Sequence, residues 1–390
     1  MKTKLFFWTL LFFTTSQIFS QERQIIVNPN IQLPNDSIVS KKLINSINGF
    51  LSEKEKPNKE NSFVLNEDLV EMSLLLDELK GIEKSGRFKD DNFYKAYLSN
   101  VISTNENIYL LQFSFIGVNE NVPYLMATIE LIAKQKDDKF YFMSTLKKNT
   151  SLWKTKQIEN YVFHYKEKIN SKTVKKYVEK VKEFDKKFNS TGSKIEWYGC
   201  DNMQELLNLI GISYKLTYNG RTSSNFSAIE NNTLLIVEGS NNTSFETFDP
   251  HDLFHERATN VIEQSKINRS MICGTAYIYG GSWGISWEDI SKAFKEKVAS
   301  NTASDWLKLY SEGYNFGESQ EKHLLVTQYI NALIAKKVEK EQGFPVVIEL
   351  LSSGNFKKNP DNFFQILEKI TGINKTNFNE KVWELVRAEK

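Results

Sequence analysis

The stretch Phe248-Asp-Pro-His-Asp-Leu-Phe-His-Glu256 holds two of the chain's four histidines, His251 and His255, four residues apart and just after an Asp-Pro pair. Asp249 reads as a helix N-cap and Pro250 as the first helical residue, a position that tolerates its missing N–H. At 3.6 residues per turn, positions i and i+4 share one face about a turn apart. That is the spacing two imidazoles need to grip one Zn²⁺. On its own such a pair is common by chance and fits two polar residues on a helix surface better than a metal site. Asp252, between them, falls at the third helical position, where an acid is favoured by the helix dipole whatever else it does.

Reading outward, the chain changes period several times. Met1 to Ser20 has the form of a secretory signal peptide: Lys2 and Lys4, then the apolar run Leu5 to Phe13, then Phe19-Ser20-Gln21 as a cleavage site. The run is too short to span a membrane, and no Cys near the cleavage point offers a lipoprotein anchor, so the expected location is secreted or periplasmic. Residues 21–38 read as an extended leader. From 39 to 150 the pattern predicts a small α+β domain. Helices are expected over Ser40 to Glu53, Glu67 to Leu79 and Asp91 to Val101. Strands follow over Ile108 to Ile116, Val122 to Ala133 and Lys139 to Ser144, where apolar residues alternate. This order resembles the nuclear-transport-factor-like or cystatin-like class at the level of pattern. Lys147 to Thr155 reads as a polar connector, with a boundary near 150.

Beyond it, strands are expected at Tyr161 to Tyr165, Lys194 to Tyr198 and Thr233 to Glu238. Helices are expected at Ser171 to Phe188 and Met203 to Ile210, ahead of the histidine helix. From Ser286 the chain reads as helical, with Ser286 as a cap and Asp289 three residues on. Leu324 to Val338 and Phe363 to Ile370 are two further amphipathic helices, and Gly343 and Gly372 punctuate them.

A second stretch, Met271-Ile-Cys-Gly-Thr-Ala-Tyr-Ile-Tyr-Gly-Gly281, places Cys273 eighteen residues after His255, a separation that suits a second helix returning beside the first. Together, the mixed α/β lobe, the paired histidines, this glycine- and aromatic-rich segment and the helical C-terminal lobe resemble the gluzincin (peptidase MA-like) zinc metallopeptidases, among their secreted bacterial members. The resemblance covers roughly residues 155 to 390 and implies a gluzincin-like domain over 151–390. It implies that His251 and His255 are zinc ligands. It places Cys273 where the third ligand is ordinarily Glu, and Asp252 where the general base is ordinarily Glu. A carboxylate on a stem one methylene shorter sits back from the metal, and an error near 1 Å can cost about 10²-fold in rate. Cysteine thiolate remains an acceptable zinc ligand.

The expected function is therefore a secreted protein of zinc-peptidase fold with a catalytically impaired His-Asp-x-x-His site, acting chiefly by binding a peptide or protein partner. The alternative is an active zinc-dependent hydrolase in which His251, His255 and Cys273 hold the metal and Asp252 activates water. A third reading keeps the fold as a metal-free scaffold, with the N-terminal domain binding the partner.

Other classes find little support. Without Lys2 and Lys4 the basic and acidic residues balance at 48 each, the basic residues are mostly Lys, and no basic block exists, which disfavours nucleic acid. No Gly-x-Ser-x-Gly elbow is present. Cys200 and Cys273, the only cysteines, could form one disulfide in an oxidising compartment, which would remove Cys273 as a ligand. Glu256 and Arg257 are read as solvent-facing or paired with neighbours, His164 as a packed strand residue, and His323 as exposed. Gly280, Gly281 and Gly284 are read as a tight turn against the sheet. Glu312-Gly313 echoes the Glu-Gly ligand pattern in a helical context and is set aside.

Overall fold

The computed structural model describes residues 25–190, 192–301, 303–317, 322–356 and 358–389. The segment expected to be a signal peptide and the start of the expected leader lie outside the described residues. The fold is α+β. The chain divides into two compact units. One holds the chain up to Ser151 together with Met203–Thr222 and Phe226–Asn231; the other holds Leu152–Asn202, Ser223–Asn225 and Asn232–Lys390.

In the first unit the helix Ser37–Glu53 starts at Asp36, whose side chain accepts hydrogen bonds from the backbone N–H of Ile38 and Val39. That cap sets the start three residues before the apolar spacing becomes visible. The helix buries Leu43, Ile47, Phe50 and Leu51, with Phe50 and Phe142 rings 4.8 Å apart. The sheet runs Ile26–Val27, Lys95–Asn105, Ile108–Asn119, Val122–Lys136, Lys139–Met143, and Ile212–Lys215 also pairs with Val122–Lys136. Long strands joined by turns of two residues make the antiparallel part, and Asn107, Glu120, Asn121 and Asp137 take the left-handed conformation there.

The helix expected over Asp91 to Val101 is not formed. Lys95–Asn105 is a strand, paired antiparallel with Ile108–Asn119. Tyr94, Tyr97, Leu98 and Val101 have spacing that fits a helix, but the ladder to a neighbouring twelve-residue strand outweighs that local pattern. The connector expected at Lys147 to Thr155 likewise contains the short helix Leu146–Asn149 and the start of the strand Lys154–Ile158. Met203–Ile210 is a helix, and it belongs to the first unit although it follows Ser151 by some fifty residues.

The second unit begins with a sheet whose strands lie in the order Thr233–Gly239, Lys194–Gly199, Tyr161–Tyr165, Lys154–Ile158. The first three are mutually parallel and the last is antiparallel. Parallel neighbours need a crossover, and Ser171–Phe188 is the helix in that connection. Asn170 caps its start and Asn189 (φ 50°) ends it in a left-handed conformation. Its stripe of Val174, Tyr177, Val178, Val181, Phe184 and Phe188 is buried.

Among the described residues the elements after the last strand are helices, chiefly Pro250–Val261 (the histidine helix), Arg269–Gly280 (the cysteine helix), Trp287–Phe294, Trp306–Glu312, Val326–Gln342, Phe344–Leu351, Pro360–Thr371 and Phe378–Ala388. Ser286 caps Trp287–Phe294 through the Asp289 N–H, and its hydroxyl bonds the Asp289 carboxylate. Trp306, Tyr310, Tyr329 and Phe363 fill the core between these helices. No helix among the described residues is long and apolar enough to cross a membrane.

Candidate metal centre

The histidine helix begins as its sequence dictates. Asp249 accepts from the backbone N–H of His251 at 2.8 Å, and Pro250 occupies the first turn. Leu253, Phe254, Arg257 and Ala258 face inward. Phe254 packs edge-on to Phe184 of the crossover helix and stacks on Tyr279 of the cysteine helix, ring centres 5.2 Å apart. One aromatic side chain thus helps set the histidine helix against both its neighbours.

Arg257 is nearly fully buried, at 1% exposure, so of the two expected placements, solvent-facing or paired, only the pairing holds. Its Nε donates to Asp185 Oδ1 at 2.7 Å, and a second guanidinium nitrogen meets the same oxygen. Glu256 lies beside it, Oε1 3.8 Å from the guanidinium. Burial pushes the Glu256 carboxyl up to about 7, with Asp185 adding repulsion and Arg257 opposing. The pair ties the histidine helix to the crossover helix at a fixed rotation.

Two glycines let the helices close in. A Cβ on Gly280 would lie 2.2 Å from the backbone N of His251. A Cβ on Gly274 would lie 2.3 Å from the backbone O of Gln328, on Val326–Gln342. Gly274 and Gly280 therefore serve helix-to-helix approach. Gly281 and Gly284 form the expected tight turn, with φ 67° and 76°; it closes at Ser282–Ile285 with Trp283 also left-handed, and Gly281 lies against Ile285 and Ser286.

This packing gathers His251, His255 and Cys273. Their ligand atoms all lie within 4.8 Å of one another, and each residue is half-buried. The two imidazole ring centres are 4.9 Å apart. His251 Nδ1 is 2.6 Å from the carbonyl oxygen of Gly281. A carbonyl only accepts, so Nδ1 carries the hydrogen and Nε2 keeps its lone pair for a metal. Burial, with the charges of His251 and Arg269, holds His255 down to about 4, so its ring is neutral at ordinary pH. Burial pushes the Cys273 thiol up to about 11, with Arg269 opposing and Asp252 adding to the rise. An incoming cation would have to displace that proton. Gln328 hydrogen-bonds the thiol side, and Tyr277 donates to Gln328 Oε1 at 2.5 Å.

The donor set suits zinc. A tetrahedral ion with Zn–N and Zn–S bonds of about 2.0–2.3 Å keeps its donors roughly 3.3–3.8 Å apart. Side-chain rotation closes the remaining distance. Asp252 adjoins the cluster. It is exposed, yet partial desolvation raises its carboxyl, with Asp249 adding repulsion and His251 opposing. Neither cysteine is in a disulfide; Cys200 is buried and Cys273 half-buried.

Of the remaining histidines, His164 stacks flat on Tyr198 with ring centres 4.0 Å apart and lies 3.6 Å from Glu196. His323 is half-buried just before Val326–Gln342. Gln328 carries no sequence signal, because it reaches the site from fifty-five residues past Cys273. Arg269 did carry one: it stands four residues before Cys273, on the same helix face.

Fold and site together define an α+β protein with a half-buried His₂Cys donor cluster held between two helices. Comparison of the chain with protein-family models, curated protein sequences and solved structures finds no match.

Proposed function

We propose that this chain is a secreted zinc-binding protein of gluzincin-like fold, whose cleft binds a peptide or protein partner and whose hydrolytic power is weak. The convergence of two imidazoles and one thiol from separate helices supports it, with the lone pair of His251 already aimed by the Gly281 carbonyl. Bound zinc would act as a Lewis acid and acidify a water. The chain's own residues hold that position: His251 and His255 as neutral donors, and Cys273 as thiolate once deprotonated. Zinc content of the purified, reduced protein is the test. One Zn²⁺ per chain, lost in Cys273→Ala, supports the reading; a reduced protein that takes up no zinc refutes it.

A second reading, an active zinc hydrolase, draws on Asp252. Its carboxylate lies near enough for His251 to influence it and for it to influence Cys273. Its raised proton affinity suits a base. Peptidase activity in the zinc-loaded protein, abolished by Asp252→Asn with zinc retained, would establish it. Zinc-loaded protein without activity on unstructured peptides would leave the binding function.

A further inference from the structure

A cavity of about 1020 Å³ is lined in part by Cys273. Leu307, Tyr310, Phe356 and Phe364 make its apolar wall, and Arg269 and Cys273, one turn apart on the cysteine helix, also line it. Arg269 is exposed, and among the described residues no hydrogen bond or ion pair engages its guanidinium. Lys375, also on the lining, is answered by Asp361 at 2.6 Å. Among the described lining residues Arg269 is thus the cation left over, one helical turn from Cys273 and on the same cavity as the apolar wall.

We propose that this cavity receives the C-terminal residue of a peptide, with a bulky apolar side chain inside and its α-carboxylate on Arg269. An apolar cavity of this size accommodates an aromatic side chain. A guanidinium fork matches a carboxylate in two parallel hydrogen bonds. A mid-chain residue brings the side chain without the charge, whereas a terminal residue carries both on one carbon. Glu312, exposed on the same rim, has no partner among the described residues and repels an acidic side chain. The peptide's last bond would then lie beside Cys273, within the site described above. The inference rests on the reading of this cleft as a peptide-binding site.

Calorimetric titration tests it with an N-acetylated tripeptide ending in Phe, as the free acid and as the C-terminal amide, and with the same peptide ending in Asp. Zinc content is measured on the same samples. The free acid should bind about 10–100-fold more tightly than the amide, the range for one charge-assisted bidentate contact. Compared at matched zinc loading, Arg269→Gln should abolish that ratio, and Arg269→Lys should keep part of it. Phe356→Ala should weaken the Phe peptide while leaving the acid-to-amide ratio in place. Because Arg269 is exposed, its replacement leaves the fold intact. Equal binding of acid and amide, or an unchanged ratio in Arg269→Gln, overturns the inference even if zinc is present. A ratio that persists in protein lacking zinc supports this inference while the metal reading fails.

Discussion

Replacing Gly280 by alanine tests the packing that creates the donor cluster. The new Cβ would stand 2.2 Å from the backbone N of His251 and 2.7 Å from the backbone carbon of Pro250. Ordinary contact begins near 3.4 Å. No rotamer can relieve a clash with backbone, so the two helices must part by more than about 1 Å. Overpacking of this kind costs about 1–3 kcal/mol. The same displacement pulls His251 Nδ1 off the Gly281 carbonyl, now 2.6 Å away. Losing the support of a ligating histidine weakens metal affinity about 10–100-fold. Urea unfolding gives the first quantity, and zinc titration against a chromophoric chelator gives the second. Gly86→Ala is the control, since its Cβ meets nothing within 4 Å and its φ is not left-handed. If Gly280→Ala unfolds within about 0.5 kcal/mol of the parent, the close approach is not real. If stability falls while zinc affinity holds, the helix spacing does not position His251.

Three further outcomes follow from the same contacts. Asp185→Ala leaves Arg257 buried with only Glu256 nearby and should cost about 3–5 kcal/mol in urea unfolding; Asp185→Asn with Arg257→Met should recover much of it. An unchanged midpoint for the single variant would mean that the pair contributes nothing. Zinc affinity should rise about tenfold per pH unit between pH 7.5 and 9, because the Cys273 thiol loses its proton on binding while His255, held down to about 4, has none to lose. A flat profile there would exclude Cys273 as a ligand. Glu196 is held down to about 2, by His164 first and Lys194 next, so its contribution to stability is present above about 4.5 and fades as pH falls toward 2. Glu196→Gln should flatten the loss of stability in that window, measured by chemical unfolding at stepped pH; a profile parallel to the parent would sink the assignment.

Sequence alone determined the elements whose signals are local. The Asp249-Pro250 start, the Ser286 cap, the stripe of Ser171–Phe188 and the alternation of Ile108–Asn119 each depend on residues a few positions apart. The spacing of His251 and His255 is of the same kind, because one helix turn relates them. Signals that compete locally were decided elsewhere. Lys95–Asn105 has helical spacing and becomes a strand because a neighbouring strand offers a complete ladder. Met203–Ile210 reads correctly as a helix, but the unit it joins depends on contacts made fifty residues back. At the site, Cys273 was legible as a position, whereas its meeting with the histidines required two helices to touch at Gly280. The burial of Arg257 against Asp185, the Gln328 contact and an Arg269 without a hydrogen bond or ion pair among the described residues are tertiary facts. Each depends on where a charge ends up relative to solvent and partner. A residue's type and spacing do not encode that until the core has closed around it.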